Sequence, residues 1–348
     1  MKKPVLLFTT AFITTVALAQ PRIKHQGVIG GNEDDQFSSM YLTKDGGLIV
    51  NGTSNSNISD QKTQNSRGNG DYWIVKLDSA GNIQWDKTIG GTDYDGLTDL
   101  QQTSDGGYIL GGLSYSNKSG DKTENRKSKD SYSDYWIVKL DAAGSIEWDK
   151  AFGGTQTDFF ESLQQTADGG YILGGASFSN KSHEKSQNSR GLIDYWIIKL
   201  DVAGNIQWDK TIGGNNTDFL RTLQQTSDGG YILGGESLSP ISGEKTENGR
   251  GDTDYWIVKL NSNGKVQWDK TIGGSNEDAC YAVSEIKKNH YVVGGYSYSG
   301  ISGDRTGGNR GKVDKTADYW LVELEVCKAG QCICYTGTSQ QIDCSVII

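Results

Sequence analysis

Histidine is almost missing from this chain. Three occur in 348 residues, His25, His183 and His290, at unrelated places, so a histidine-rich metal centre or a histidine-centred catalytic triad has little to draw on. GxSxG, HExxH and phosphate-cradling glycine loops are absent too, which removes the sequence marks of several hydrolase and nucleotide-binding classes. Positive charge is short: 34 Lys and Arg face 43 Asp and Glu, a formal net charge of −9. Phosphate backbones need a concentrated basic surface, so nucleic acid is not an expected partner. Hydrophobic residues make up 34 %, and no segment is expected to span a bilayer. Aromatics nonetheless reach 10 % and glycines number 47, a composition of folded, turn-rich β proteins rather than of disorder.

What is present is repetition. Asp-Tyr-Trp recurs at Asp71, Asp134, Asp194, Asp254 and Asp318, 60 to 64 residues apart, and all nine tryptophans fall inside the surrounding unit. The unit is seen cleanly as TLQQTSDGGYILGGES (222–237) and DYWIVKLNSNGKVQWDKTIGG (254–274). Self-similarity at this period is the signature of a repeat fold. In the fourth copy, Leu220 to Thr226 and Tyr231 to Ser237 read as strands around Asp228-Gly229, a hairpin turn because Gly accepts positive φ without strain. After a polar stretch come Asp254 to Leu260, a tight turn, and Lys265 to Ile272. Gly273-Gly274 opens the next copy. Four antiparallel strands per unit, buried only against neighbouring units, predict an all-β propeller of four-stranded blades, with Trp256 and Trp268 packing between blades. A β-solenoid, the competing repeat fold, has shorter coils and lacks the hairpin turns.

Gly-Gly boundaries at Gly30, Gly90, Gly153, Gly213 and Gly273 predict five blades. The fifth copy stops after its third strand, Tyr319 to Glu325. Residues 23–31, IKHQGVIGG, align with IQWDKTIGG at 83–91, so the N-terminal strand is expected to pair with residues 319–325, close the ring and remove an open edge.

Residues 1–19 read as a secretory signal: Lys2 and Lys3, an apolar stretch from Val5 to Leu18, and Ala17-Leu18-Ala19 before Gln20. Their loss moves the formal charge from −9 to −11, since both lysines go. The propeller is assigned to residues 20–326 and a Cys-rich tail to 327–348. Cys327, Cys332, Cys334 and Cys344 allow two disulfides in three pairings in an exported chain, or a zinc site without histidine. The tail is either a small stapled appendage or disordered.

LDSAGNIQW (77–85) and LDVAGNIQW (200–208) resemble the third-to-fourth strand passage of PQQ-type propeller repeats, one residue shorter. The whole unit, QQTSDGGYILGG followed by DYWIVKLD, resembles a family of secreted β-propeller repeat proteins common in Bacteroidetes, over residues 23–326. The resemblance implies an exported protein, secreted or at the cell surface, and carries no implication of a quinone cofactor. Many such proteins end in a sorting domain for surface attachment, which residues 327–348 do not match.

Long polar loops at 53–70, 113–133, 176–193, 236–253 and 296–317 are the expected binding surface, since function concentrates in loops on rigid scaffolds. Each carries an arginine, Arg67, Arg126, Arg190, Arg250 and Arg310, as a candidate grip for an anionic or sugar-acid ligand, with Lys127 as substitute in the second copy. Pairing with a nearby carboxylate is the structural alternative. Asp35, Asp95, Asp158, Asp218 and Asp278 recur five residues after each boundary and are candidate Ca2+ ligands or, alternatively, turn-fixing acceptors. A variable inner-strand position reads Ser38, Thr98, Glu161, Arg221 and Tyr281, with Asp99 beside it. Glu161 with Asp99 is the one pair suited to glycosidase chemistry, and Glu161 with Arg221 is more simply an ion pair. The expectation is a monomeric, non-enzymatic module binding a glycan or protein through its loop-rich face, without a cofactor. A passive adhesion module and a glycoside hydrolase are the alternatives.

Overall fold

The computed structural model describes residues 23, 26–129, 131–313, 315–326, 333–335 and 341–343, and every regular element among them is a strand. The first copy forms β1 (Asp35–Leu42), β2 (Leu48–Ser54), β3 (Asp71–Leu77) and β4 (Ile83–Ile89). The second forms β5 (Asp95–Gln102), β6 (Tyr108–Ser114), β7 (Asp134–Leu140) and β8 (Ile146–Phe152). The third forms β9 (Asp158–Gln165), β10 (Tyr171–Ser177), β11 (Asp194–Leu200) and β12 (Ile206–Ile212). The fourth forms β13 (Asp218–Gln225), β14 (Tyr231–Ser237), β15 (Asp254–Leu260) and β16 (Val266–Ile272). The fifth has three strands, β17 (Asp278–Lys287), β18 (His290–Ser297) and β19 (Asp318–Glu325). A separate hairpin pairs β20 (Ile333–Tyr335) with β21 (Gln341–Asp343). Within each copy the strands pair antiparallel in chain order, and first strands of successive copies lie side by side, β1 by β5, β5 by β9, β9 by β13 and β13 by β17. The fold is all-β, a row of five propeller blades.

Two glycine requirements explain the repeated words. The β13–β14 turn puts Gly229 at φ +80° while Asp228 accepts the Gly230 N–H at 2.9 Å. At the blade boundary the need is for space: a Cβ on Gly213 would sit 1.8 Å from Asp194 Oδ1, and one on Gly214 would sit 2.4 Å from the Ser239 Cβ.

The blades are joined by the triplet itself. Tyr72, Tyr135, Tyr195 and Tyr255 each donate their hydroxyl to the next blade's Trp carbonyl, at 3.0, 3.3, 3.0 and 3.1 Å. Each ring lies on that tryptophan at centroid distances of 4.9 to 5.3 Å. The tryptophans of the fourth strands, Trp85, Trp148, Trp208 and Trp268, meet the next blade's tyrosine edge-on at 5.7 to 5.9 Å. The Gln-Gln pair adds polar links: Gln101, Gln164 and Gln224 accept the N–H of Gln165, Gln225 and Glu285 across successive joints, at 2.6, 2.6 and 2.8 Å.

The expected ring closure is not seen among the described residues. β17–β18–β19 is a three-stranded sheet, with no strand on the outer edge of β19 among the described residues. Residues 26–30 are not strand, and Ile29 packs instead on Trp73, Val75 and Leu77 of the first blade. The sequence at the would-be fifth joint explains this. Ser284 stands where other blades carry the first Gln, and Leu42 stands where Gln102, Gln165, Gln225 and Glu285 accept the N–H of Lys44, Ser104, Ala167 and Ser227 in the preceding blade's turn. Residues 1–19 and the tail cysteines Cys327, Cys332 and Cys344 lie outside the described residues.

Candidate functional site

The five aspartates are held apart, each at its own boundary. Asp35, Asp95, Asp158, Asp218 and Asp278 accept the N–H of the second boundary glycine, Gly31, Gly91, Gly154, Gly214 and Gly274, at 2.6 to 2.7 Å. Hydroxyls of Ser56, Ser116, Ser179, Ser239 and Ser299 donate to the same carboxylates. A shared cation site is not assembled: among the described residues no group of three His, Cys, Asp or Glu is placed to hold a metal ion. Burial pushes Asp95 and Asp218 up to about 6 and Asp158 up to about 7.

The loop arginines cross blade joints. Arg67 Nε lies 2.8 Å from Asp121, Arg190 Nη2 2.6 Å from Glu244, and Arg250 Nε 2.7 Å from Asp304, each acid lying in the next blade's loop. In the second copy Lys127 makes that contact, 3.2 Å to Glu184, while Arg126 donates to the Tyr115 carbonyl. The Asp of Asp-Tyr-Trp accepts the backbone N–H of Arg67, Arg190 and Arg250 at 2.6 to 2.7 Å, which holds each loop end in place. Arg310 is exposed, and its guanidinium has no carboxylate partner among the described residues. The first blade has Gln61 where the others have the receiving acid.

The position at which the copies differ proves to be a β-bulge in every blade. Phe37 pairs with Gly52 and Ser39 with Asn51, which leaves Ser38 unpaired, and the same skip isolates Thr98, Glu161, Arg221 and Tyr281. An extra residue in one strand re-aims its side chain and frees it from the ladder. The five inner strands therefore present a row of bulged side chains whose chemistry changes from hydroxyl to carboxylate to guanidinium to phenol. The variability was legible in the sequence; the bulge was not.

The third to fifth blades build a cluster on this row. Arg221 contacts Glu161 at 3.3 Å and Glu236 at 2.8 Å. Its guanidinium carbon lies 4.1 Å from the Phe219 ring centre and 5.2 Å from that of Tyr281. Aromatic contacts extend the patch: Phe219 to Phe159 at 5.7 Å, Phe159 to Phe178 at 6.1 Å, and Tyr281 to Tyr296 and Tyr296 to Tyr298 at 5.7 Å each. Tyr296 donates its hydroxyl to Glu277. Burial lifts Glu161 to about 7, against the opposing pull of Arg221. Three glutamates against one arginine leave the patch net acidic. Asp99, read beside Glu161 in the sequence, is engaged by neighbouring strands. Its oxygens accept the Leu163 N–H at 3.0 Å, the Leu100 N–H at 2.9 Å and the Tyr41 hydroxyl at 3.0 Å, and so stitch adjacent inner strands.

No family model matches the chain. Over 171 residues it is 26 % identical to the regulatory protein FlaEY of Caulobacter vibrioides, a stretch covering 49 % of this chain and 17 % of that protein. Among solved structures, cobalt-substituted Synechocystis ACO aligns with a TM-score of 0.40 and 12 % identity, over 74 % of this chain and 56 % of the other. Sqt1 from Chaetomium thermophilum aligns at 0.31 and 12 %, over 85 % and 88 %. Likeness at these scores says nothing of activity.

Proposed function

We propose that the protein is an exported, non-enzymatic binding module that seats a glycan or protein ligand on the bulged inner-strand row, around Glu161, Arg221 and Tyr281. One observation supports this reading: five similar copies each carry a different side chain type at the first-strand residue that is released from strand pairing, whereas the residue released from the fourth strand is Gln or Glu in each of the first four blades. Aromatic faces beside fixed carboxylates and a guanidinium suit sugar rings or peptide side chains, which need apolar contact with a few oriented polar groups. The loop arginines support the reading by exclusion, because Arg67, Arg190 and Arg250 are spent on blade joints.

The test is a binding screen of the chain without residues 1–19 against glycan and peptide libraries, followed by titration of variants. Arg221→Ala and Phe219→Ala are expected to abolish saturable binding, and Arg190→Ala to leave it intact. Equal affinity in all three would sink the site assignment. Turnover of any bound glycan that disappears in Glu161→Gln would replace the binding reading with a hydrolase.

A further inference from the structure

Three joints of the row share one steric rule: the floor of the outgoing face is a glycine, and residues at the third and sixth places of the next blade's first strand drop onto it, while at the first joint Asn51 stands in the glycine's place. A Cβ on Gly111 would meet Phe160 and Leu163, one on Gly174 would meet Leu220 and Leu223, and one on Gly234 would meet Cys280. Both halves of this joint exist once more, on the fifth and first blades, and among the described residues neither is covered. The first blade carries Phe37 and Met40 at the inserting positions, 66 % and 59 % exposed. The fifth blade carries Gly294 as floor, Leu321 folded over it at 2.6 Å from the built Cβ, and Tyr319 in the place of the joining tyrosines. Tyr319 is 94 % and Leu321 72 % exposed, and with Tyr281, Ala282, Gly295 and Tyr296 they line an apolar cleft of about 460 Å³.

We propose that the outgoing face of the fifth blade takes the incoming face of the first blade of a second copy, so that chains associate head to tail. The occupant follows from continuity with the joints already in the chain: Phe37 and Met40 have the size and spacing of the residues that fill the four internal ones. The Tyr319 hydroxyl then meets the Trp73 carbonyl of the other copy, as its four equivalents do within the chain. The arginine and glutamine links are missing from this joint, since Gln61 offers Arg310 no charge, Ser284 replaces the first Gln and Leu42 has no side-chain acceptor. Its attraction is therefore apolar, and added salt is expected to strengthen association rather than screen it. A heterologous contact of this kind grows into a filament unless its rotation closes a ring.

The experiment is sedimentation velocity over a concentration series, with Phe37→Arg, Leu321→Arg and their equimolar mixture. Wild-type chains are expected to form species above monomer, and each variant alone to stay monomeric, since every copy has lost the same half of the joint. The mixture is decisive: Phe37→Arg keeps a sound outgoing face and Leu321→Arg a sound incoming one, so together they form a one-to-one heterodimer and nothing larger. Both substituted positions are exposed, and unchanged circular dichroism checks the fold, with Met40→Arg and Tyr319→Arg as second variants. A wild-type monomer at the highest soluble concentration overturns the proposal, as does association that survives both variants. A monomer in which cysteines placed at 37 and 321 form an internal crosslink overturns it in favour of intramolecular closure.

Discussion

Arg190 and Arg221 lie in adjacent copies, and both hold a carboxylate across a blade joint, 2.6 Å to Glu244 for the first and 3.3 Å to Glu161 for the second. Arg190 recurs as Arg67, Lys127 and Arg250, and its partner recurs with it as Asp121, Glu184 and Asp304. Arg221 has no counterpart; its equivalents are Ser38, Thr98, Glu161 and Tyr281. A polar residue repeated in every copy serves what every copy needs, which is attachment to its neighbour. A polar residue that appears once serves something that happens once.

The comparison breaks most visibly at a joint. Trp196→Ala removes a fully buried indole from the contact of the second and third blades and is expected to cost about 3–5 kcal/mol in urea unfolding. A smaller loss would mean that adjacent blades contribute less to each other than the geometry states.

Next comes pH. Burial raises Asp158 to about 7 from an unfolded value near 4. A raised carboxyl binds its proton more tightly in the fold, so its stabilisation is complete below the unfolded value and is lost as pH rises through about 7. Asp95 and Asp218, at about 6, act in the same direction. Lys185, lowered by burial to about 8, stays protonated through most of this window and adds no slope below about pH 7. Melting temperature is expected to fall from pH 5 to pH 7.5, and Asp158→Asn is expected to flatten the profile. A melting temperature that rises over that range contradicts the assignment.

Tyrosine hydroxyls sharpen the contrast between joints and ends. Tyr195→Phe strands the Trp256 carbonyl and is expected to cost about 1 kcal/mol, whereas Tyr319→Phe, with its hydroxyl outside any internal joint, is expected to leave the unfolding midpoint of the monomer unchanged. The smallest effect belongs to the pair that opened the comparison. A double-mutant cycle on Arg190 and Glu244, both partly exposed, is expected to give a coupling of about 0.2–1 kcal/mol with no change in ligand affinity. A measurable loss of affinity there would return the loops to the binding surface.

Strand positions were largely legible before any coordinates, because their signals are local. Asp254–Leu260 and Tyr231–Ser237 match the reading residue for residue, and β16 begins one residue later than read. Ring closure, which is not seen among the described residues, was harder to read because it is not a local property. Residues 23–31 resemble a fourth strand, but resemblance does not name the partner of a strand, and Ile29 lies on the first blade instead. The contrary signal was present in Leu42, Gln61 and Ser284, which abandon the joint pattern. The arginines and the alternative of carboxylate pairing were legible, but the partner was not, because the side chain crosses a joint to an acid about 54 positions further on while the nearer Asp of Asp-Tyr-Trp binds the backbone of the same loop. The bulge that marks the candidate site is not announced by composition, and the order Asp-Phe-Leu-Arg-Thr-Leu around Arg221 has no strict alternation for it to interrupt.

A closed propeller admits a single number of blades, because its last must meet its first at a set angle. In this row each blade answers only to the one before it and the one after. Recombination between the similar stretches that encode residues 134–193 and 194–253 can add or delete a whole unit while keeping the joint pattern of the units that remain. Length is then an inherited variable rather than a structural constant, and a gene of this kind is expected to differ in copy number between close relatives long before it differs in the sequence of any one copy.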